Sequence, residues 1–167
     1  MKKYKLTGET KTICLPFGTV TLHRIKAVVE FGLVKVGDLG GWIEKEENLS
    51  HEENAWVCGN AKVCGNAKVY DNAKVCGNAK VCGNAKVFSA DHVLVIGAIG
   101  SRNDFTTFFR DKDNEITVKC GCFLGKIDKF LEKVTQTHKD TKHTLAYRTA
   151  VEVAKLQIDL TEKSTRR

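Results

Sequence analysis

Cys58-Gly-Asn-Ala-Lys-Val63 recurs without change at Cys64–Val69, Cys76–Val81 and Cys82–Val87, and Tyr70-Asp-Asn-Ala-Lys-Val75 keeps the same register. A period of six does not fit 3.6 residues per helical turn, but it is a multiple of the two-residue strand repeat. Ala-Lys-Val-Cys therefore reads as a short strand and Gly-Asn as a corner. Ala and Val share one face, and Lys and Cys share the other. Gly permits the left-handed backbone and Asn tolerates it, so the corner residues suit the turn.

This pattern resembles the left-handed β-helix superfamily, in which three hexamers complete one coil of eighteen residues. The resemblance implies stacked columns: Val57 with Val75 and Val93, Val63 with Val81 and Ile99, Val69 with Val87, Cys58 with Cys76, Cys64 with Cys82, and Tyr70 with Phe88. It predicts a mainly β fold, a short left-handed parallel β-helix over residues 51–100. An N-terminal β cap (1–50) and a C-terminal α/β module (101–167) would close its ends, because so short a solenoid exposes both.

The flanks carry their own signals. Thr19–Val29 alternates in part and reads as a strand. Phe105–Arg110 and Ile116–Cys120 flank a polar Asp111–Glu115 turn, a hairpin signal. Ile127, Phe130, Leu131 and Val134 recur at helical spacing, predicting a helix over Lys126–Val134. Tyr147, Val151, Ala154 and Ile158 mark a second helix over Thr141–Leu160, capped by Asp140 or Thr141. Thr161–Arg167 reads as a frayed basic end.

Gly37-Asp-Leu-Gly-Gly-Trp-Ile-Glu44, Asn48-Leu-Ser-His51 and Asn54-Ala-Trp-Val57, followed by the hexamers, resemble phage- and prophage-encoded hexapeptide-repeat proteins, often labelled hypothetical or polymer-forming cytoskeletal proteins. Ile99-Gly-Ser-Arg-Asn-Asp104 and Val118-Lys-Cys-Gly-Cys-Phe123 are similar to a module attached to such repeats. The resemblance implies the repeat fold and a homotrimer but no particular reaction.

Composition narrows the compartment and the partners. The 167 residues include seven cysteines, an odd count that disfavours a closed disulfide framework. No apolar stretch approaches the roughly 18 residues of a membrane span. The expected setting is the cytoplasm, that of a bacterial host if phage-encoded, with reduced thiols. The net charge is +7, and residues 101–167 hold fourteen of the basic side chains against ten acidic ones. The mixture is too even for a nucleic-acid-binding stripe, yet it favours small anions.

Several constellations compete for function. The cysteine columns fall on two sides of the repeat without a Cys-x-x-Cys pair, so packing outweighs metal binding, and no metal or cofactor is expected. Cys120-Gly-Cys122 reads as a tight turn more readily than as a reactive pair. His92, placed outward on the last coil, is the base that hexapeptide-repeat acyltransferases would need. The strongest polar cluster is Ser101, Arg102, Asp104, Thr106, Thr107 and Arg110, joined by His138, His143 and Tyr147 near the start of the last helix. Arg offers a planar fork for phosphate or carboxylate, and a helix N-terminus favours anions. The reading is a non-enzymatic ligand-binding protein that holds or sequesters a small anionic, nucleotide-like molecule, such as a host anti-phage defence signal. A structural scaffold and an acyltransferase acting through His92 are the alternatives.

Overall fold

The computed structural model describes residues 1–161. Three strands come first, β1 (Tyr4–Leu15), β2 (Gly18–Ala27) and β3 (Leu39–Ile43), followed by a 3-10 turn over Glu46–Asn48. Each hexamer then yields a strand of only two residues: β4 (Trp56–Val57), β5 (Lys62–Val63), β6 (Lys68–Val69), β7 (Lys74–Val75), β8 (Lys80–Val81) and β9 (Lys86–Val87). A 3-10 turn over Ala90–His92 leads to β10 (Val93–Ile99), β11 (Asp104–Arg110), β12 (Ile116–Cys120) and β13 (Phe123–Lys126). Helices α1 (Ile127–His138) and α2 (Lys142–Gln157) complete the described chain.

The expected left-handed β-helix between separate caps is not the architecture found. The chain is mainly β, with several small separate sheets and a C-terminal helix pair. A mixed sheet runs β1-β2-β3-β5-β8, an antiparallel sheet runs β10-β11-β12-β13, and β4-β7 and β6-β9 are isolated parallel pairs. Two-residue strands are the physical reason. Each hexamer spends its other four residues on the turn, so the repeat builds no long sheet of its own, and one of its strand pairs is absorbed into the sheet of the N-terminal hairpin. The sheet thus joins strands from both sides of residue 50. Residue 100 is bridged as well, because the Lys112 amide donates to Asn84 O at 2.9 Å.

Within these sheets the repeats pair eighteen residues apart. Trp56 is opposite Lys74, Lys62 opposite Lys80, and Lys68 opposite Lys86. The valine and alanine of each hexamer are buried in one continuous apolar cluster. Burying each valine contributes about 1.5–3 kcal/mol. Gly59, Gly65, Gly77 and Gly83 take φ between +62° and +68° at the corners. In the variant hexamer Asp71 takes that conformation instead, at φ 54°. Val93 and Ile99 leave the repeat pattern, because β10 pairs antiparallel with β11.

The helix and hairpin predictions hold with small shifts of boundary. The two helices pack on the β10–β13 sheet around Phe108, Val118, Phe130, Val134, Tyr147 and Val151, a second core. A third core places Ile13, Leu15, Leu22 and Trp42 over Cys64 and Cys82. Those two cysteines point outward from their hexamers, yet both are fully buried, because the N-terminal hairpin covers them. Among the described residues no helix is long and apolar enough to cross a membrane. Of the tail expected to fray, residues 162–167 lie outside the described residues.

The cysteines correct the expectation of reduced, unpaired thiols. Cys58 is bonded to Cys76, and Cys14 to Cys122. Stacking in register brings Cys58 and Cys76 to a Cα separation of 4.6 Å, within the span a disulfide bridges. Cys14 lies near the end of β1 and Cys122 in the β12–β13 turn, and their Cα atoms are 5.1 Å apart.

Candidate functional site

A cleft of about 550 Å³ opens where the β1–β2 turn, the β10–β11 connection, the β12–β13 turn and the two helices meet. Its volume falls in the range of small-molecule sites, about 300–1,000 Å³. Ser101, Arg102, Asp104, His138 and Tyr147, all singled out in the sequence, line it.

The floor is aromatic. Phe130 meets Tyr147 edge-on at 5.6 Å and Phe123 at 5.5 Å between ring centroids. His138 stacks on Tyr147 at 5.8 Å, with 26° between the planes. The rim is cationic, with Arg102 from the β10–β11 connection and Lys133 from α1. Gly121 sits beneath the guanidinium: a Cβ there would lie 3.2 Å from Arg102 Nη1. Gly100 is equally constrained. Its φ is +81°, and a side chain would collide with the Tyr147 hydroxyl.

The chemistry centres on Tyr147 and Cys120. Cys120 Sγ lies 4.0 Å from Tyr147 Oη and 3.5 Å from Thr106 Oγ1. Burial, with Cys120 beside it, pushes the Tyr147 phenol up to about 12, so the ring keeps its proton at neutral pH. Arg102 and Asp104 act on the same hydroxyl with opposite signs. Gly121 and Cys122 form the two-residue turn of the β12–β13 hairpin, since Cys120 is paired with Phe123. Gly121 takes φ 56° as the first turn residue, which suits a type II′ turn. Lys119 is buried beside it, with Nζ donating to the Gly121 carbonyl. Burial holds that ammonium below the usual lysine range.

Four of the expected site residues stand elsewhere. Thr106 lies behind Cys120, buried and out of the lining. Thr107 points to the other face of β11, where its hydroxyl accepts from the Lys80 amide at 3.0 Å. Arg110 is buried at the far end of the strand. It donates to Asn114 Oδ1 at 2.8 Å, and its guanidinium lies 5.0 Å over the Phe88 ring. The His143 ring lies 5.4 Å from that of His138, tilted by 58° to it, and does not line the cleft. The reason is extension. From Asp104 to Arg110 a strand advances about 20 Å, so these side chains cannot converge on one ligand. The first turn of α2 is likewise outside the lining, so its N-terminus offers the cleft no anion site.

His92 also differs from its expected outward position. It is fully buried under Phe88, with Nδ1 accepting from the Phe88 amide at 3.1 Å and Nε2 3.1 Å from Arg110 Nη1. The 3-10 turn at Ala90–His92 breaks the hexamer phase and rotates it inward. A base for an acceptor substrate would need access that this position lacks.

Phe123, Phe130, Lys133 and Thr137 were not foreseen as site residues. Their signal was present, since positions 130, 133, 134, 137 and 138 form one face of α1. Among the described residues, no group of three or more His, Cys, Asp or Glu side chains is placed to hold a metal ion. A second cleft of about 560 Å³ lies between Glu46, Glu47, His51, Lys68, Tyr70 and Lys86. There two carboxylates oppose two ammonium groups, so the field favours no one charge of ligand. No family model matches the chain, and no curated protein matches it.

Proposed function

We propose that the first cleft binds a small anionic ligand carrying an aromatic ring, of the nucleotide class. The observation that carries this reading is the lining itself: a floor of Phe123, Phe130, Tyr147 and His138 beneath a rim of Arg102 and Lys133. Aromatic floors take planar rings by offset or edge contacts, each worth about 0.5–1.5 kcal/mol beyond area burial. Arg102 supplies a fork for phosphate and Lys133 a second positive charge. Ser101 adds a hydroxyl, and Asp104 an acceptor for an amino or ribose hydroxyl group. The role is binding or sequestration rather than turnover.

Calorimetry of the folded chain against nucleoside mono-, di- and cyclic phosphates tests the reading. The expected result is saturable binding that weakens at least tenfold in Arg102→Gln and again in Lys133→Gln. Absence of heat across the panel, with folding verified by circular dichroism, overturns it.

A further inference from the structure

Cys120 and Cys122 line the cleft, and Cys14 is tied to it through its bond to Cys122. The Cys14–Cys122 disulfide forms part of its wall, with Pro16 and Cys122 both in the lining, and the free thiol of Cys120 lies one residue from Cys122. Cys14 and Cys122 are exposed, and Cys120 is partly so. Cations surround the turn: Arg102 lies over Gly121, and Lys119 donates to its carbonyl. Electropositive, partly exposed surroundings are what make a cysteine reactive, and exposed disulfides are the labile ones. Neither Cys58 nor Cys76 lines this cleft.

We infer that Cys14, Cys120 and Cys122 form a thiol–disulfide exchange centre that reacts with low-molecular-weight anionic thiols. The incoming thiolate attacks Cys122 Sγ. A sulfur–sulfur bond forms between them, the Cys14–Cys122 bond breaks, and Cys14 leaves as a thiolate that takes a proton from water. Cys120 then loses its proton to solvent and attacks Cys122 Sγ, forming Cys120–Cys122 and expelling the small thiolate. No electrons are gained or lost overall, and the small thiol is regenerated. The covalent tie between β1 and the β12–β13 turn gives way to one within that turn, so the end of β1 is no longer bonded to the cleft wall. Arg102 and Lys133 favour a thiol bearing carboxylates. This chemistry stands independently of nucleotide binding, since it needs only access to Cys122.

Reduced glutathione, added in a graded series to the full folded chain and quenched with iodoacetamide, provides the test by peptide mapping. In the wild-type chain the peptide Cys120–Lys126 is expected two hydrogens lighter than its dithiol form, with Cys14 alkylated and Cys58–Cys76 intact. In Cys120→Ser the Cys122–glutathione adduct should accumulate at least about fivefold over wild type, because nothing resolves it. Should that variant not fold, the wild-type map alone decides. A wild-type chain that passes directly from Cys14–Cys122 to fully reduced cysteines, with no Cys120–Cys122 peptide at any concentration, overturns the inference. Equal adduct in the two folded chains does so as well.

Discussion

Lys126 Nζ lies 2.8 Å from Asp111 Oδ2, an ion pair that locks the end of β13 to the turn between β11 and β12. The carboxylate is almost fully buried and takes three further donors. The amides of Asp113 and Glu115 reach Oδ1 at 2.9 and 3.1 Å, and the Thr117 hydroxyl reaches Oδ2 at 2.7 Å. Burial pushes the Asp111 carboxyl upward, but Lys126, Thr117 and the two amides outweigh it and hold it below the usual aspartate range. A group depressed in the folded state stabilises above its unfolded value of about 3.9, and that stability is lost as pH falls through the lower folded value. Urea midpoints followed by tryptophan fluorescence should therefore fall as pH drops below about 4. Asp111→Asn should cost roughly 1–3 kcal/mol at pH 7, and the two curves should converge in acid.

Asn48 is fully buried and has all four of its hydrogen-bonding positions filled. Oδ1 accepts from the Glu44 and Lys45 amides at 3.1 and 2.9 Å, while Nδ2 donates to Gly65 O and Ala67 O at 3.1 and 2.9 Å. Asn48→Ala removes the partner of the Lys45 amide and of the Gly65 and Ala67 carbonyls, while the Glu44 amide keeps the Val63 carbonyl at 3.0 Å, and should cost about 2–4 kcal/mol. Asn48→Asp, nearly the same shape, should cost at least as much, because it turns an oxygen toward two carbonyls. Thermal melts of the two variants check the order.

Gly40 and Gly41 explain the Gly-Gly of the N-terminal motif. A Cβ on Gly41 would lie 2.6 Å from the Ala61 carbonyl, and one on Gly40 would lie 2.7 Å from that of Val57. Both obstacles are backbone, which cannot swing aside. Gly41→Ala should destabilise by about 1–3 kcal/mol in chemical denaturation, the usual range for overpacking.

How far the sequence foretells this molecule depends on what each residue answers to. Val63 and Val81, or Cys64 and Cys82, are placed by the period alone, and their opposition is legible from spacing. That Cys64 and Cys82 are buried is not, because the covering residues, Ile13, Leu15 and Trp42, come from elements with no periodic relation to them. His92 shows the limit of extrapolation. A repeat predicts its next member only while the corners persist, and Ser89 begins a 3-10 turn where Gly-Asn would have stood. At the cleft, Arg102 and Tyr147 were legible as polar or aromatic groups near segment ends. Arg110 was not separable from them until β11 was known to run straight through its position.

The Cys14–Cys122 bond spans 108 residues of sequence. Constraining so long a loop limits the unfolded chain, an effect worth typically about 2–4 kcal/mol. Cys14→Ser should lower the urea midpoint accordingly, with a smaller loss for Cys76→Ser, whose loop spans only 18 residues. A rank order opposite to this would mean that local packing, not loop length, sets the contribution.

The same bond gives the chain the topology of a closed ring with two tails. Residues 14–122 form the ring, a smaller ring between Cys58 and Cys76 is set within it, and both helices hang outside from a single point of attachment. A protease that cuts once anywhere inside the large ring opens it without releasing a fragment. The nicked molecule keeps its full mass until the cystine is reduced, whereas one cut in the helical tail frees a piece at once.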